Sequence, residues 1–261
     1  MSDIVSKNLK NKVDFKIKNN IQLLYSVCKI LGKISPECFI IFKPNIQIND
    51  IEKNNISIHF LMLNDKIFFK YEIKFDELEY YRCDAKLIIK INLQSLCHSI
   101  ENSKNDVRFS ITDNDPEYLH VRTDNNLSKV NISITNDEDV KMNIPVMKFE
   151  KKIKINSRKY KDICSFITGT ENIKIKSESL TFIKPISGEE YIFESDDYDK
   201  SEKEFIIKCK TSDLLIFEKC EEICETIELY IGIGLPIVIK ISTKIGNLFT
   251  FISNVIDDEQ S

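Results

Sequence analysis

The segment KKIKINSRKYKDICSFI, residues 151–167, joins two periodicities on which the fold class depends. Its first six residues, KKIKIN, bring polar and apolar side chains into alternation, as a half-buried β-strand does. Residues 157–167 have the apolar spacing of a helix, and Ser157 is the predicted N-cap. The residues predicted to face inward from this helix are Tyr160, Ile163, Cys164 and Ile167. The segment therefore predicts a strand that leads directly into a short helix.

The same order of elements occurs in the first half of the chain. VDFKIK, residues 13–18, is a predicted strand, and IQLLYSVCKILGKI, residues 21–34, is a predicted helix. Each half has a second short helix between predicted strands, at residues 92–100 and 212–222. A repeat at about half the chain length indicates an internal duplication. We therefore expect an α+β fold of two similar domains, each with several strands and two short helices.

The duplication divides the sequence into five predicted segments. They are an N-terminal tail at 1–12, a first domain at 13–130, an interdomain connector at 131–147, a second domain at 148–256 and an acidic C-terminal tail at 257–261. Within the connector, Pro145 restricts Ile144 to an extended conformation. The pattern of this segment agrees equally well with a long surface loop.

Composition excludes several broad classes of protein. The 261 residues are 42% hydrophobic and 30% charged, which is typical of a soluble globular chain. The net charge of -4 argues against a generally basic nucleic-acid binder, although positive charge confined to one face is compatible with it. No apolar run is long enough for a membrane span, and the N-terminus has no signal-peptide pattern. We expect the chain to stay in the cytosol or nucleus, or wherever its genome is copied.

The sequence has no recognisable catalytic or cofactor motif. None of the six glycines belongs to a phosphate-binding loop, and the eight cysteines are expected to be buried thiols without metal. The acidic runs at 113–117 and 194–202 lack calcium-loop spacing and are expected to be solvated. A hydrolase that uses Cys83 and His98 is a third interpretation, but it lacks an oriented base and an oxyanion site. We expect a binding protein with no enzymatic activity and no cofactor.

Three stretches resemble the DNA sliding clamp family, proliferating cell nuclear antigen. They are YRCD at 81–84 with the following Asn92, Leu93 and Ser95, NIP at 143–145, and IGNLFTFISNVIDDEQS at 245–261. The abundance of Ile, Lys and Asn is typical of an AT-rich genome, so a divergent clamp from a virus or a parasite is expected. The resemblance implies that the Arg82–Cys83–Asp84 triplet is a structural turn without a catalytic role.

The resemblance implies a homotrimeric ring with sheets outside and short helices around a central hole. Such a ring holds double-stranded DNA by topology, so a mildly positive inner wall is sufficient and base readout is unnecessary. The implied DNA-binding residues are Lys29, Lys33, Lys104, Arg158, Lys159, Lys161 and Lys219. The positions of His98, Glu101, Asp162 and Ser165 are usually basic in the family, so the wall is expected to be nearly neutral.

The resemblance also implies a partner pocket under the connector. There, a clamp-binding peptide of a DNA polymerase or of another replication or repair protein would insert apolar side chains. The matching residues are Ile51, Asn55, Ile56, Ile58, Met142, Ile144, Pro145, Pro236, Phe251, Ser253 and Asn254. Ser253 and Asn254 replace an Ala-Pro pair of the family, which changes the surface that receives the peptide backbone. The alternative is that the apolar members of this set belong to the ordinary core.

Subunit contacts of the implied ring are expected at two strand edges, near residues 107–121 in the first domain and 171–183 in the second. The leading interpretation is a polymerase processivity factor that a clamp loader places on DNA. The alternative is a clamp-fold interaction protein that does not encircle DNA and, as a monomer or dimer, tethers a polymerase or a transcription factor.

Overall fold

The computed structural model describes residues 11–18, 20–44, 58–63, 67–124, 126–136, 147–177, 180–193 and 205–255. The chain divides into two compact units, one of Met1–Phe60 with Glu72–Lys141 and one of Leu61–Tyr71 with Met142–Ser261. Antiparallel strands dominate both units, and the described residues of each contain two α-helices. None of the described helices has the length and apolar character that a membrane crossing requires.

The order of elements repeats between the two halves of the chain. The first half consists of β1 Asn11–Ile17, α1 Ile21–Gly32, β2 Glu37–Phe42, β3 Ile58–Leu63, β4 Ile67–Ile73, β5 Leu78–Cys83, β6 Leu87–Asn92, α2 Leu93–Ile100, β7 Val107–Thr112, β8 Asp115–Arg122 and β9 Leu127–Thr135. The second consists of β10 Lys151–Asn156, α3 Ser157–Ile167, β11 Asn172–Lys176, β12 Thr181–Ile183, β13 Glu190–Ile192, β14 Ile206–Lys210, α4 Thr211–Leu215, β15 Thr226–Ile231, β16 Ile237–Ser242 and β17 Gly246–Ile252. The predicted α+β fold of two similar halves is confirmed.

The first unit is built on a sheet of antiparallel strands. Its order is β5–β1–β7–β8–β9, and β9 continues onto β6, which pairs with β2. The alternation of VDFKI places Phe15 in the core, where its ring stacks on Phe109 at 4.8 Å between centroids and lies 5.8 Å from Phe42. α1 packs beside α2 through its buried stripe, so the opposite faces of both helices are left to solvent.

The second unit has two sheets. One has the order β10–β15–β16–β17, with β4 beside β17, and the other has the order β13–β12–β11–β14. α3 packs against β10, β15 and α4 through the predicted residues, all of which are buried. The hydroxyl of Tyr160 donates a hydrogen bond of 3.0 Å to the carbonyl of Leu214, so the one polar atom of this buried ring is satisfied.

Local details of the helices differ from the prediction. The N-cap of α3 is Asn156 and not Ser157, because the Asn156 side chain accepts the backbone N–H of Arg158 at 3.0 Å while Ser157 is buried. The helix predicted over 212–222 ends at Leu215. Beyond that residue the backbone follows i→i+3 hydrogen bonds, such as Cys220 N to Phe217 O at 2.9 Å. This tighter winding accompanies the burial of both Phe217 and Cys220.

The prediction that the edge strands lie near residues 107–121 and 171–183 is wrong. In the 107–121 region, β7 pairs with β1 and β8, and β8 pairs with β7 and β9. In the 171–183 region, β11 pairs with β12 and β14, and β12 pairs with β11 and β13. Alternation along a strand reports which side is buried but not which strands flank it, so the sequence identified the strands and not their order.

Candidate nucleic-acid interface and partner site

The solvent face of α1 and α2 carries basic side chains that no described carboxylate neutralises. Lys29, Lys33 and Lys104 are exposed, and the ammonium of Lys29 lies 5.2 Å from the centre of the Tyr25 ring. The carboxylate of Glu101 accepts the hydroxyl of Tyr25 at 2.9 Å, and this hydrogen bond raises the pKa of Tyr25. The hydrogen bond leaves the carboxylate of Glu101 on this face beside the three lysines, none of which forms an ion pair with a described carboxylate.

The solvent face of α3 and of the turn after α4 has a similar character. Arg158, Lys159 and Lys219 are exposed, and the ammonium of Lys159 lies 5.5 Å from the Phe193 ring. Lys161 differs, because it forms an ion pair with Glu221, and the hydrogen bond to that carboxylate raises the pKa of Lys161. Of the seven predicted basic residues, Lys161 alone has a carboxylate within 4.0 Å in the described part of the chain.

On these two surfaces exposed acidic side chains stand beside the basic ones, and the expectation of a nearly neutral wall stays a prediction. His98 and Asp162 are exposed, in agreement with outward positions, and the Ser165 hydroxyl donates to the carbonyl of Lys161 at 3.0 Å. Long basic side chains on exposed helix faces reach phosphates without reading base edges. The geometry is suited to sequence-independent attraction of a polyanion, with each unit contributing one surface.

Only part of the predicted partner pocket lies within the described residues. Pro236, Phe251, Ser253 and Asn254 are described, all in the second unit. Ile58 belongs to β3, but its side chain lies outside the described part of the chain. The remaining predicted residues lie outside the described ranges, and they are Ile51, Asn55, Ile56, Met142, Ile144 and Pro145.

The described part lies at the end of β17, where two aromatic rings stack and a side-chain amide forms a hydrogen bond. We call this group of residues, Phe68, Phe251, Asn254 and Leu235, the corner. Phe251 is half-buried and stacks on Phe68, with 5.4 Å between ring centroids and 29° between planes. The Asn254 side-chain amide donates to the carbonyl of Leu235 at 2.6 Å, beside Pro236. Within the described residues, the buried Oδ1 of Asn254 has no hydrogen-bond partner. The corner thus combines a pair of stacked aromatic rings with one hydrogen-bond acceptor that has no partner among the described residues.

The turn between β15 and β16 borders this corner. Asn254 forms a hydrogen bond with this turn, and Glu150 forms another. Glu150 Oε2 accepts the backbone N–H of Ile233 at 3.1 Å. A Cβ at Gly232 would collide with the end of the Glu150 side chain and with Leu235, so both side chains would have to shift if this residue were larger. Sequence reasoning missed Glu150 and Phe68. The signals were present in the glycines of GIG at 232–234 and in the aromatic pair of KIFFK at 66–70.

The Arg82–Cys83–Asp84 triplet ends strand β5. Arg82 Nε lies 3.1 Å from Asp84 Oδ1, so these two exposed charges neutralise each other. The thiol of Cys83 is buried and donates to the carbonyl of Ala85 at 3.0 Å, and burial raises its pKa. A raised pKa disfavours the thiolate that a nucleophile requires, which counts against the hydrolase interpretation. Among the described residues there is no group of three metal-ligating side chains.

Comparison with solved structures gives a match along nearly the whole chain. The crystal structure of proliferating cellular nuclear antigen from Entamoeba histolytica covers 95% of this chain and 100% of its own, with a TM-score of 0.77 and 12% identity. The chain has the sliding-clamp fold. The duplicated order of strands and helices described above is thus the order of a clamp, and the resemblance read from the sequence is confirmed.

Comparison at the sequence level adds one viral relative. A protein of Acanthamoeba polyphaga mimivirus named "Probable DNA polymerase sliding clamp" is 26% identical in an alignment of 234 residues that covers 79% of this chain. These residues make up 49% of the mimivirus protein, so the chain spans about half the length of this relative. No protein-family model matches the chain. The clamp fold therefore rests on the structural match and on this divergent viral relative.

Proposed function

We propose that this protein is a DNA sliding clamp that encircles duplex DNA as a homotrimeric ring and tethers a DNA polymerase. The observation that carries the proposal is a clamp fold over 95% of the chain. The name of the mimivirus relative points to the same role. The chain then acts as a processivity factor without catalytic activity, at the nuclear or cytoplasmic site where its genome is copied.

Two open strand edges support assembly into a ring. β4, the fourth strand of the first half, lies beside β17, the last strand of the second half. The equivalent strands of the other halves are β13, the fourth strand of the second half, and β9, the last strand of the first half. In the described residues β13 pairs with β12 alone, and Leu127–Asn131 of β9 pair with β8 alone. β9 of one subunit can therefore pair with β13 of the next, which gives a head-to-tail contact.

Exposed aliphatic side chains lie on these two strands. Leu127 on the open part of β9 is 51% exposed and Ile192 on β13 is 57% exposed, although both belong to strands. Large aliphatic side chains at an unpaired edge are typical of a surface that another chain covers. These strands replace the predicted edges at 107–121 and 171–183 as the proposed subunit contact.

DNA retention would combine topology with weak electrostatic attraction. Six of the proposed DNA-binding residues are without a described carboxylate partner, and the closed ring would repeat them three times. Contacts to phosphates release counterions and read no sequence, so the ring can slide. Polymerase and repair proteins would bind at the corner of Phe251 and Asn254, completed by residues of the connector, and a clamp loader would open the ring.

The test is the molar mass in solution by light scattering, at several protein concentrations and two salt concentrations. A stable mass of three 30.4 kDa chains is expected. The trimer is then expected to stay on nicked circular DNA and to escape when that DNA is linearised. A mass of one or two chains at all concentrations would overturn the ring and favour the non-encircling tethering protein.

A further inference from the structure

Two cysteine thiols approach each other between the helices of the first unit. Cys28 belongs to the buried stripe of α1, and Cys97 lies half-buried on α2, which packs beside α1. Both are free thiols, and their side chains are in hydrogen-bonding contact. A pair of reduced thiols thus bridges two helices that are far apart in the sequence.

Hydrogen bonds from α1 hold its first turns against the end of α2. The side-chain amide of Gln22 donates to the carbonyl of Glu101 at 3.0 Å and to that of Ser103 at 2.6 Å. The hydroxyl of Tyr25 donates to the carboxylate of Glu101 at 2.9 Å. Because these bonds join the same two helices as the thiols, they restrict the motion of one sulfur relative to the other.

An open cavity of about 430 Å³ lies beside this thiol pair. The residues that line it include Tyr25, Cys28, Lys29, Gly32, Cys97 and Glu101. A Cβ added at Gly32 would meet no atom within 4 Å, in agreement with free space at this wall. Hydrogen peroxide is only slightly larger than water, so the cavity gives it access to the half-buried thiol of Cys97.

The two thiols differ in their electrostatic environments. The hydrogen bond with Cys28 and the ammonium group of Lys29 lower the pKa of Cys97, although burial and the charge of Glu101 oppose them. The hydrogen bond with Cys97 and complete burial raise the pKa of Cys28. Cys97 is therefore the thiol that ionises more readily, and Cys28 is the protonated partner that donates its S–H to it.

The second unit contains a thiol pair with different surroundings. The thiol of Cys224 donates to the carbonyl of Cys220 at 3.4 Å, and its side-chain hydrogen bond with Cys220 lowers its pKa. The charged residues that line the cavity beside Cys224 are Glu221, Glu222, Glu225, Glu228, Lys154 and Lys244. Carboxylates are in excess there, and negative charge disfavours a thiolate. The first-unit pair is therefore expected to react first, and Cys224 provides a matched control.

We propose that Cys28 and Cys97 form a reversible disulfide between α1 and α2 when the protein encounters a hydroperoxide. The thiolate of Cys97 attacks one oxygen of hydrogen peroxide, the O–O bond breaks, and the hydroxide that leaves takes up a proton to become water. Cys97 is then a sulfenic acid. The sulfur of Cys28 attacks this sulfenic sulfur, and the S–S bond forms as the S–O bond breaks. The departing hydroxide takes the proton of Cys28 and becomes a second water.

The overall reaction oxidises two thiols and reduces one peroxide to two waters, so it needs no other electron acceptor. Thiol–disulfide exchange with a small dithiol reverses it. The thiol pair lies within one unit of a single chain. Failure of the ring and failure of this site are therefore distinguishable, because the molar mass in solution and the disulfide are separate readouts.

The test is mass spectrometry of the full-length chain after treatment with a small molar excess of hydrogen peroxide. Remaining thiols are alkylated, and the protein is digested with trypsin without reduction. Cleavage after lysine places Cys28 in fragment 19–29 and Cys97 in fragment 91–104. A disulfide between these two fragments is expected to form first, and dithiothreitol should remove it.

Cysteine variants assign a role to each sulfur. Cys97→Ser should abolish the link, whereas Cys224→Ser should change its rate of formation by less than about twofold. Cys28→Ala should leave Cys97 as a sulfenic acid that dimedone labels. Thermal unfolding establishes whether this buried substitution leaves the variant folded, and the wild type and Cys97→Ser decide the proposal without it.

A lysine variant tests the electrostatic environment. Lys29→Gln should slow formation of the link at least about threefold, because Cys97 loses the nearby positive charge. Lys18→Gln is the control with the same charge change, since Lys18 is exposed in the same unit, and it should change the rate by less than about twofold. Equal slowing in both variants would overturn the electrostatic part of the proposal.

Three outcomes would overturn the disulfide itself. They are oxidised protein in which Cys28 and Cys97 both stay reduced, a first disulfide between Cys220 and Cys224, and a disulfide between chains on a non-reducing gel in place of the link within one chain.

Discussion

The side-chain amide of Asn254 donates a hydrogen bond of 2.6 Å to the carbonyl oxygen of Leu235. This bond joins the segment after β17 to the turn between β15 and β16, which Glu150 holds from the other side through Ile233. The segments around Glu150 and Asn254 are therefore tied to one turn of the second unit. A substitution in either segment is expected to move the same corner.

Replacement of Asn254 by Ala should destabilise the second unit by about 1 kcal/mol, because the carbonyl of Leu235 loses its donor. Urea unfolding measures the change. The control is Ser253→Ala, since Ser253 is exposed and adjacent. If Ser253→Ala destabilises the protein as much as Asn254→Ala does, the hydrogen bond is not the cause. Binding of a clamp-type peptide should weaken in the Asn254 variant, since the corner beside Phe251 loosens.

The ring predicts a specific response to edge substitutions. Leu127→Lys or Ile192→Lys should each reduce the trimer to single chains, because a charge at the paired edge opposes strand addition. Ile186→Lys is the control, since Ile186 is 97% exposed in the β12–β13 turn.

Mixing the two edge variants sharpens this test. Each retains one intact edge, so an equimolar mixture should give a mass of two chains by light scattering. A trimer that survives both substitutions would contradict the proposed pairing of β9 with β13.

DNA attraction should depend on the available lysines and not on the paired one. The double variant Lys159→Gln and Lys219→Gln should weaken duplex DNA binding at low salt. It should also reduce the slope of log affinity against log salt by about 0.9 for each phosphate that a lysine no longer neutralises. The charge-neutral variant Lys161→Gln with Glu221→Gln removes an ion pair and should leave binding unchanged. Equal weakening in both variants would show that these positions do not form the interface.

Because of Glu228, the folding stability of the second unit is expected to fall in acid. Burial opposes its ionisation, but hydrogen bonds from Lys152, Tyr230 and Lys240 lower the pKa of Glu228 from 4.5 to about 2. Because the folded-state pKa is depressed, this carboxylate stabilises the fold above pH 4.5, and the contribution is lost as the pH falls toward 2.

Urea unfolding at about pH 6 and about pH 3 tests this sign. Glu228→Gln should lose part of the wild-type fall in stability between these pH values, whereas the exposed Glu222→Gln should retain it. An unchanged pH dependence in Glu228→Gln would show that the ion pairs with Lys152 and Lys240 do not contribute.

Periodicity predicted the elements well where burial is one-sided. The extent of α3 and four of its five buried residues were predicted, Ser157 being the fifth, because an amphipathic helix of eleven residues has a single burial pattern. The end of α4 was not, since the backbone beyond Leu215 follows tertiary packing of Phe217 and Cys220. The edge strands were wrong for a related reason, because strand order depends on pairing between distant segments.

In the candidate site, too, local sequence patterns predicted some features, and contacts between distant residues determined the others. The sequence identified the basic residues, but the neutralisation of Lys161 depends on Glu221, sixty residues away. The stack of Phe251 on Phe68 joins positions 183 residues apart, and no local pattern reports such a contact. Chemical type could thus be read from the sequence, whereas the partner of each side chain required the fold.

If the ring closes through the edges of β9 and β13 that stay open in the described residues, the angle of the proposed subunit contact decides whether the protein stays soluble. A head-to-tail contact that fails to close adds chains without limit and produces filaments. Closure after three copies leaves neither strand exposed and ends growth at a defined size. A loader or a nuclease that opened the ring would therefore need to cover the freed edges, and subunits with a distorted contact angle should precipitate before they lose their fold.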